Sequence, residues 1–374
     1  MLQNKIYQNF FIEIFKTFFI VLFGLSIIAL TVRAVNFLDL IVDSGYPVVT
    51  YFKYSILNLF GIMPKFIPLS FLVSLTVFIL NHLEDSEFVI LWTSGVKKIQ
   101  IVNLFFLSSI FVLTFYLLFS VFFTPLALNK SRQLLSKEQL NSFLPTIKSQ
   151  QFTDSFKGFT FIVEKKLKNE IQNIFLHDEG NNIKNLSSNI TNSTSTTIIA
   201  EKGIVNKKQL ILINGQIISS KKESSKNEII KFEQLSIDLS NLSTNTIKEP
   251  KIQETSTKDL INCFIVGTSK ARFCDKKSKK EVIPTLIRRV VLPFYLPVIT
   301  LICSLLLMKN HRFFLNKISI FIYSFLVLVF TELVIRYTGF NNLLRLAYII
   351  TPFILICIFY LILVLKFKNE AKTI

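Results

Sequence analysis

The segment that decides how this chain is organised is His82-Leu-Glu-Asp-Ser-Glu-Phe-Val-Ile-Leu-Trp-Thr-Ser-Gly-Val-Lys-Lys98. It lies between two long apolar runs, so we predict a short loop on one side of a membrane. Asp85 or Ser86 can cap a helix whose first turn is acidic, which suits the positive end of the helix dipole. Gly95 can end the same helix. The segment therefore predicts a compact helix between two membrane spans.

The predicted helix, at about 84–96, is amphipathic. Its apolar residues recur at three- and four-residue spacing, and they are Phe88, Leu91, Trp92 and Val96. Such a helix can lie flat on lipid headgroups, or it can dock into a groove on a cytoplasmic partner. The pattern alone leaves both uses open.

The composition of the chain indicates an integral membrane protein with a separate polar domain. Of its 374 residues, 51% are hydrophobic, and the mean hydropathy is +0.50. The net charge of +18 could suggest a nucleic-acid partner. However, the basic residues flank apolar runs or scatter through a polar middle, without a basic stripe interleaved with aromatic residues. We therefore predict no nucleic-acid binding, and we attribute the charge to membrane topology.

Six apolar runs are long enough to span a membrane. They cover about 10–32, 54–82, 99–124, 286–308, 314–335 and 343–365. We predict transmembrane helices in 1–125 and 286–374, separated by an external domain with its linkers in 126–285. The third run should end at Thr124-Pro125. Pro64 and Pro68, inside the second run, predict a kinked or locally broken helix.

The middle of the chain is predicted to be an all-β domain, a sandwich or jelly roll, because its apolar runs are short and alternating or β-branched. The Asn214-Gly215 pair between two of these runs predicts a hairpin turn. The polar stretch 181–196 is predicted to be a loop. The runs are Phe159–Val163, Ile174–His177, Thr197–Ala200, Leu210–Ile213, Gln216–Ser219 and Leu235–Leu239.

Lysine and arginine in the short loops predict the orientation, because cytoplasmic loops carry more of them. One side holds Lys5, Lys16, Lys97, Lys98, Lys309, Arg312, Lys317, Lys366, Lys368 and Lys372. The other side holds Arg33, Lys53, Arg336 and Arg345. Both termini and the 82–98 segment should then be cytoplasmic, with the β domain outside. Arg288 and Arg289, at the outer end of span four, run against this rule.

The sequence contains no recognisable catalytic, cofactor or metal motif. Its three histidines fall in separate segments, and no G-x-x-x-x-G-K-[ST] phosphate loop is present. We therefore expect no enzyme activity, no cofactor and no metal, and any energy for transport must come from a partner or an ion gradient. Cys263 and Cys274 can form a disulfide outside the cytoplasm or remain two unrelated thiols.

Charged residues within or near the outer parts of the spans need an explanation, because a charge at the bilayer centre costs about 3 kcal/mol. These residues are Arg33, Lys53, Lys65, Glu332, Arg336 and Arg345. They can reach the outer headgroups, with a Glu332–Arg336 pair at i, i+4. Alternatively, the cations form a rim that holds an anionic amphiphile whose acyl chains occupy an apolar cavity. Lys65, deep in span two, favours the rim.

The stretch Asn81–Gly95 resembles the segment after the second span in LptF/LptG (YjgP/YjgQ) lipopolysaccharide export permeases. There a D-S-E core precedes an apolar helix that ends in small residues and glycine. The layout of three spans, an external β domain and three more spans is similar over nearly the whole chain. The exit from span one, Asp39-Leu-Ile-Val-Asp-Ser-Gly45, looks closer to LptF. Further resemblances are Val32–Asp39, the Pro64/Pro68 pattern, Lys157–Val163, Ile174–Asp178, Ala200–Gly203 and Leu210–Gly215.

This resemblance implies a permease subunit of an ABC-type exporter in the bacterial inner membrane, which extracts lipopolysaccharide and passes it to a periplasmic bridge. The implied partners are an LptB-like ATPase dimer, a second, LptG-like permease, a single-span LptC-like bridge protein and a downstream LptA-like protein. The 84–96 helix would couple the chain to the ATPase through an acidic start and an apolar body. The implied coupling residues are Glu84, Asp85, Glu87, Phe88, Leu91, Trp92 and Gly95, and the implied phosphate-facing cations are Arg33, Lys65 and Arg336.

Two other classes of function remain open. An ion-coupled secondary transporter would work without an ATPase and would usually contain repeated halves, of which the sequence gives no convincing sign. A non-transporting membrane scaffold for a periplasmic partner would tolerate changes in the lipid cavity. An intramembrane enzyme is disfavoured because the sequence has no paired catalytic groups.

Overall fold

The computed structural model describes twelve stretches of the chain, and within them it contains six helices long and apolar enough to cross a membrane. Three of these helices precede a β-sheet and three follow it. This confirms the predicted fold class, a six-span helical membrane protein with an inserted all-β domain. The described residues are 5–38, 41, 47–141, 149–156, 159–167, 170–178, 193–206, 209–221, 224–238, 251–266, 276–308 and 317–372.

The chain forms two compact units. The first contains Met1–Val32, Leu57–Asn129 and Lys251–Ile374. The second contains Arg33–Ile56 and Lys130–Pro250. The first unit therefore holds most of the membrane helices, and the second holds the sheet together with the adjoining ends of the first two spans.

The first two membrane helices are α1 (Lys5–Asn36) and α2 (Val48–Glu84). Every fourth residue of α1 from Phe10 to Leu22 is buried, which is the spacing of one helix face. Ser74 on α2 donates a hydrogen bond of 2.8 Å to the carbonyl of Ile14. Helix α2 continues through Pro64 and Pro68, so of the two predicted alternatives, a kink or a local break, the break does not occur.

A short helix, α3 (Glu87–Thr93), separates α2 from α4 (Lys98–Leu118). A π-helical turn, Phe119–Phe123, then leads into α5 (Thr124–Asn141). The chain therefore stays helical beyond Thr124-Pro125, where the third apolar run ends. Pro125 has no N–H for the carbonyl four residues earlier, and Thr257 Oγ1 donates to that carbonyl, on Val121, at 2.9 Å.

The C-terminal part begins with α6 (Thr257–Val266) and α7 (Lys276–Val290). A 3-10 turn at Leu292–Phe294 joins α7 to α8 (Tyr295–Cys303), and a second turn, Ser304–Leu307, completes the fourth span. The last spans are α9 (Lys317–Tyr337) and α10 (Asn342–Lys372). Every residue of α8 is buried, and α8 packs against α4, α9 and α10. It is therefore the central helix of the first unit.

The second unit contains one antiparallel sheet whose six described strands follow each other in chain order. The strands are β1 (Thr153–Phe156), β2 (Phe159–Leu167), β3 (Glu170–Asp178), β4 (Ser193–Asn206), β5 (Gln209–Lys221) and β6 (Ser224–Asp238). Their buried side chains form a core of their own that includes Val163, Leu176, Ile198 and Leu212. Most of the loop predicted at 181–196 lies outside the described residues.

The hairpin predicted at Asn214-Gly215 is wrong, because both residues lie inside β5. Asn214 takes a positive φ of 51°, which Asn tolerates better than most residues. Gly215 pairs with Ala200 on one side and Phe232 on the other. A Cβ at this position would collide with the carbonyl oxygen of Ile199 and with the Phe232 ring. The Asn-Gly pair thus serves close strand packing rather than a turn.

Replacing Gly215 with alanine should destabilise the sheet by about 1–3 kcal/mol, because overpacking forces its neighbours to move. The measurement is protease resistance of the β domain in the purified full-length protein as temperature rises. Gly24→Ala is the control, since nothing lies within 4 Å of a Cβ built there. Equal resistance of the Gly215→Ala protein and the wild type would contradict this account of the glycine.

Cys263, on α6, is disulfide-bonded, whereas Cys303 and Cys357 are free thiols. Of the two alternatives drawn from the sequence, the structure therefore has a disulfide at Cys263. Cys274 lies outside the described residues.

Candidate functional site

A cavity of about 500 Å³ lies within the first unit, against helices α2, α7 and α9. Its lining combines three cations and one carboxylate with apolar side chains. The charged residues are Lys65, Arg288, Glu332 and Arg336. The apolar wall includes Leu69, Leu292, Phe325, Leu328, Val329 and Leu333. A cavity of this kind suits an amphiphile, with its anionic group on the cations and its apolar part on the wall.

Two of the five cations in the predicted rim, Lys65 and Arg336, line this cavity. Both side chains are exposed. Arg336 follows Glu332 by one helical turn on α9, and the third cation comes from α7. Residues far apart in the chain thus place their positive charges around one apolar space.

The third cation, Arg288, was not among the predicted site residues. Its Nη2 atom lies 2.8 Å from Glu332 Oε2, so the predicted Glu332–Arg336 pair is wrong. The two side chains keep 37% and 45% of their surface exposed, which leaves room for a competing anion. The sequence does mark Arg288 as unusual. It and Arg289 lie at the outer end of a span, whereas basic residues are expected mainly on the cytoplasmic side.

The other three predicted cations do not line this cavity. Arg33 and Lys53 belong to the second unit, and both are exposed. Near them, Tyr51 Oη donates to the carbonyl of Ala34 at 3.0 Å. Arg345, on α10, lies with its guanidinium 5.6 Å from the centre of the Phe264 ring, where a cation and an aromatic face attract each other.

The predicted amphipathic helix exists as α3, between two backbone corners. Ser86 precedes it with a left-handed φ of 60° and makes no side-chain cap, so the prediction of a capping side chain at this position is wrong. Gly95 follows the helix with a φ of 94°. The N–H groups of Gly95 and Val96 donate to carbonyls of the last turn. Gly95 therefore ends the helix as the sequence predicts.

The apolar stripe of α3 faces the protein's own core. Phe88 is completely buried, and Leu91, Trp92 and Val96 pack partly buried against the same core. The Phe88 ring lies 6.0 Å from Phe10, edge to face. These predicted docking residues therefore hold the helix in place. The face left open carries Val89 and Ile90, which are 47% and 65% exposed, together with exposed Thr93.

The acidic start of α3 is largely engaged within the chain. Glu84 accepts a hydrogen bond of 3.2 Å from Lys317 Nζ, at the start of α9. Glu87 lies 3.2 Å from His82 Nε2, and Asp85 is exposed. Two of the three predicted coupling acids thus connect the loop to membrane helices.

Lys98, at the C-terminal end of the loop at 82–98, anchors this loop to two membrane helices. Its Nζ atom donates to Glu370 at 2.6 Å and to the carbonyl of Leu307 at 3.0 Å. The same atom lies 4.6 Å from the centre of the Trp92 ring. Through Lys98, the end of α3 contacts the fourth span and α10.

A family model described as "Lipopolysaccharide export system permease LptF/LptG" matches residues 10–366 of the chain. The match includes the loop at 82–98, the sheet, four whole membrane helices and most of the first and last ones. No curated protein matches the chain in a sequence comparison.

Proposed function

This chain belongs to the LptF/LptG family of lipopolysaccharide export permeases, and we propose from that premise that it is the membrane subunit of an ABC-type exporter. It is a multi-pass protein of the inner membrane. In our proposal it extracts lipopolysaccharide from that membrane and passes it to a periplasmic bridge. A separate ATPase supplies the energy, and the chain itself hydrolyses no ATP.

The observation that carries this proposal is the cavity that joins cations to an apolar wall. Lipopolysaccharide has phosphate groups at the base of its acyl chains, so Lys65, Arg288 and Arg336 can hold the phosphates while the chains contact Phe325, Leu328 and their neighbours. Arginine suits this task because its planar fork binds phosphate through two hydrogen bonds. Arg288 donates a hydrogen bond to the Glu332 carboxylate. When lipid enters, one of its phosphates can become the acceptor in place of that carboxylate.

We propose the partner set that the family resemblance implies. The chain would be the LptF-like half of a permease pair with an LptG-like chain, on an LptB-like ATPase dimer. An LptC-like bridge protein and an LptA-like protein would receive the lipid. The absence of a phosphate loop from the sequence supports the separate ATPase. The lysine and arginine distribution supports cytoplasmic termini and a periplasmic sheet.

The lipid site predicts where a photo-crosslinking amino acid will capture lipopolysaccharide. Introduced in place of Lys65 or Arg336 in native membranes, it should form a lipopolysaccharide adduct, because both positions line the cavity. Phe330, on α9, is the matched control. It is 66% exposed but does not line this cavity, so it should give ordinary phospholipid adducts. Failure to capture lipopolysaccharide at both Lys65 and Arg336 would contradict the proposed site.

A further inference from the structure

Three elements of the chain meet at one buried histidine. His82 lies near the end of α2 and is 6% exposed. Its Nε2 atom lies 3.2 Å from Glu87 Oε2, on α3, and 3.5 Å from Glu13 Oε2, on α1. Its Nδ1 atom lies 2.9 Å from the carbonyl oxygen of Phe78, on its own helix. The imidazole is thus a polar contact shared by two membrane helices and the loop helix.

The surroundings of the ring determine its orientation. The rings of Phe10, Phe78 and Phe88 lie 5.0, 4.0 and 5.5 Å from the imidazole centre. The carbonyl of Phe78 can only accept a hydrogen bond, so Nδ1 carries a proton. The remaining nitrogen faces two carboxylates, which also accept. The ring therefore presents one nitrogen to an acceptor on its own helix and the other to carboxylates on α1 and α3.

The histidine is far more enclosed than the two carboxylates that it contacts. The side chains of Glu13 and Glu87 are 50% and 52% exposed, whereas that of His82 is 8% exposed. The left-handed φ of 60° at Ser86 turns the chain so that Glu87 returns to His82. Glu13 also interrupts the apolar run of the first span, where a charged side chain requires a partner.

We propose that His82 is a positioning residue that couples α3 to α1, so that force applied to α3 moves the first membrane span. This inference rests on the proposed function, in which an ATPase acts on α3. Phe10 and Phe88 add an apolar contact between the same two helices at 6.0 Å. The polar contact at His82 differs from this apolar one because a single ring meets both Glu13 on α1 and Glu87 on α3, which sets the position of one helix relative to the other.

The test measures transport per ATP in the full complex, purified from native membranes and reconstituted in proteoliposomes. His82→Phe keeps a ring inside the aromatic cluster but removes both nitrogens. Glu13→Gln removes the charge from an exposed side chain and should leave folding intact. Both variants should retain the co-purifying ATPase and its ATP hydrolysis. Lipopolysaccharide released to a periplasmic acceptor per ATP should fall at least five-fold in each.

The double variant His82→Phe/Glu13→Gln distinguishes a shared contact from two unrelated effects. It should be no worse than either single variant, because both changes remove the same link. Lys16→Gln is the control. Lys16 lies three residues beyond Glu13 on α1 and is also exposed, so this change should leave the lipopolysaccharide released per ATP unchanged.

Two results would overturn the inference. The first is that the Glu13→Gln variant releases as much lipopolysaccharide per ATP as the wild type. The second is a double variant whose loss is the product of the two single losses. A wild-type chain that co-purifies with no ATPase would contradict the proposed function itself, and the inference would fall with it.

Discussion

Replacing Ile90 with aspartate is expected to abolish co-purification of the ATPase while the chain stays folded in the membrane. Ile90 is 65% exposed on the open face of α3, so the change disturbs no internal packing. Docking would bury this side chain, which contributes about 1.5–3 kcal/mol. An aspartate at the contact adds the cost of burying a carboxylate. Since about 1.4 kcal/mol is a factor of ten in affinity, the expected loss exceeds about 100-fold.

The measurement is the amount of ATPase recovered with the affinity-tagged chain from native membranes. Ile90→Val is the matched control, because it keeps an apolar side chain at the same place and should recover the wild-type amount. The membrane content of both variants, measured on the same samples, reports folding. If Ile90→Asp recovers the ATPase as well as Ile90→Val does, the exposed face of α3 is not the docking surface.

Arg289→Met is expected to destabilise the folded chain strongly, because it removes a buried hydrogen-bond donor from three acceptors. Arg289 is 5% exposed. It donates to the carbonyl oxygens of Thr255 at 2.9 Å and Gln253 at 2.7 Å, and to Thr257 Oγ1 at 3.0 Å. Methionine fills a similar space without donors. Because the carbonyl of Thr255 in a buried contact and that of Gln253 in a part-buried contact then lose their partner, the expected cost is about 2–4 kcal/mol.

The neighbouring arginine provides the control for this prediction. Arg288 is partly exposed and pairs with Glu332, and such pairs contribute at most about 1 kcal/mol. Thermal unfolding of the detergent-purified chain should therefore show a large drop for Arg289→Met and a small one for Arg288→Met. Protease cleavage within 251–266, the segment that Arg289 holds, should increase only in Arg289→Met. Equal drops for the two variants would refute the role given to Arg289.

The candidate site was predictable from the sequence only in part. Lys65 and Arg336 could be predicted because charged residues inside apolar runs are conspicuous. Arg288 stands out in the sequence because it is a basic residue at the outer end of a span. The sequence does not indicate that its partner is Glu332. The i, i+4 rule predicts Arg336 as the partner of Glu332, because that rule considers only pairs within one helix. The actual pair joins α7 to α9, and no local spacing encodes such a contact.

The loop helix shows the same division between local and distant information. Its position, its apolar stripe and its end at Gly95 follow from residues within one short segment. Which side the stripe faces depends on Phe10, more than seventy positions earlier in the chain. The sequence therefore suggested Phe88 and Trp92 as docking residues, whereas the packing leaves Val89 and Ile90 open.

The sequence by itself determined the six spans, the inserted β domain and the loop helix, because hydropathy and periodicity act over short windows. The tertiary structure alone decided which charges share a cavity, which face of α3 stays open, and that His82 meets Glu13 and Glu87. It also placed Asn214 and Gly215 inside a strand, where contact with neighbouring strands overrode a strong turn signal. The physical reason is common to these cases. Each depends on packing between segments distant in the chain, and that packing selects among arrangements that local patterns leave equally open.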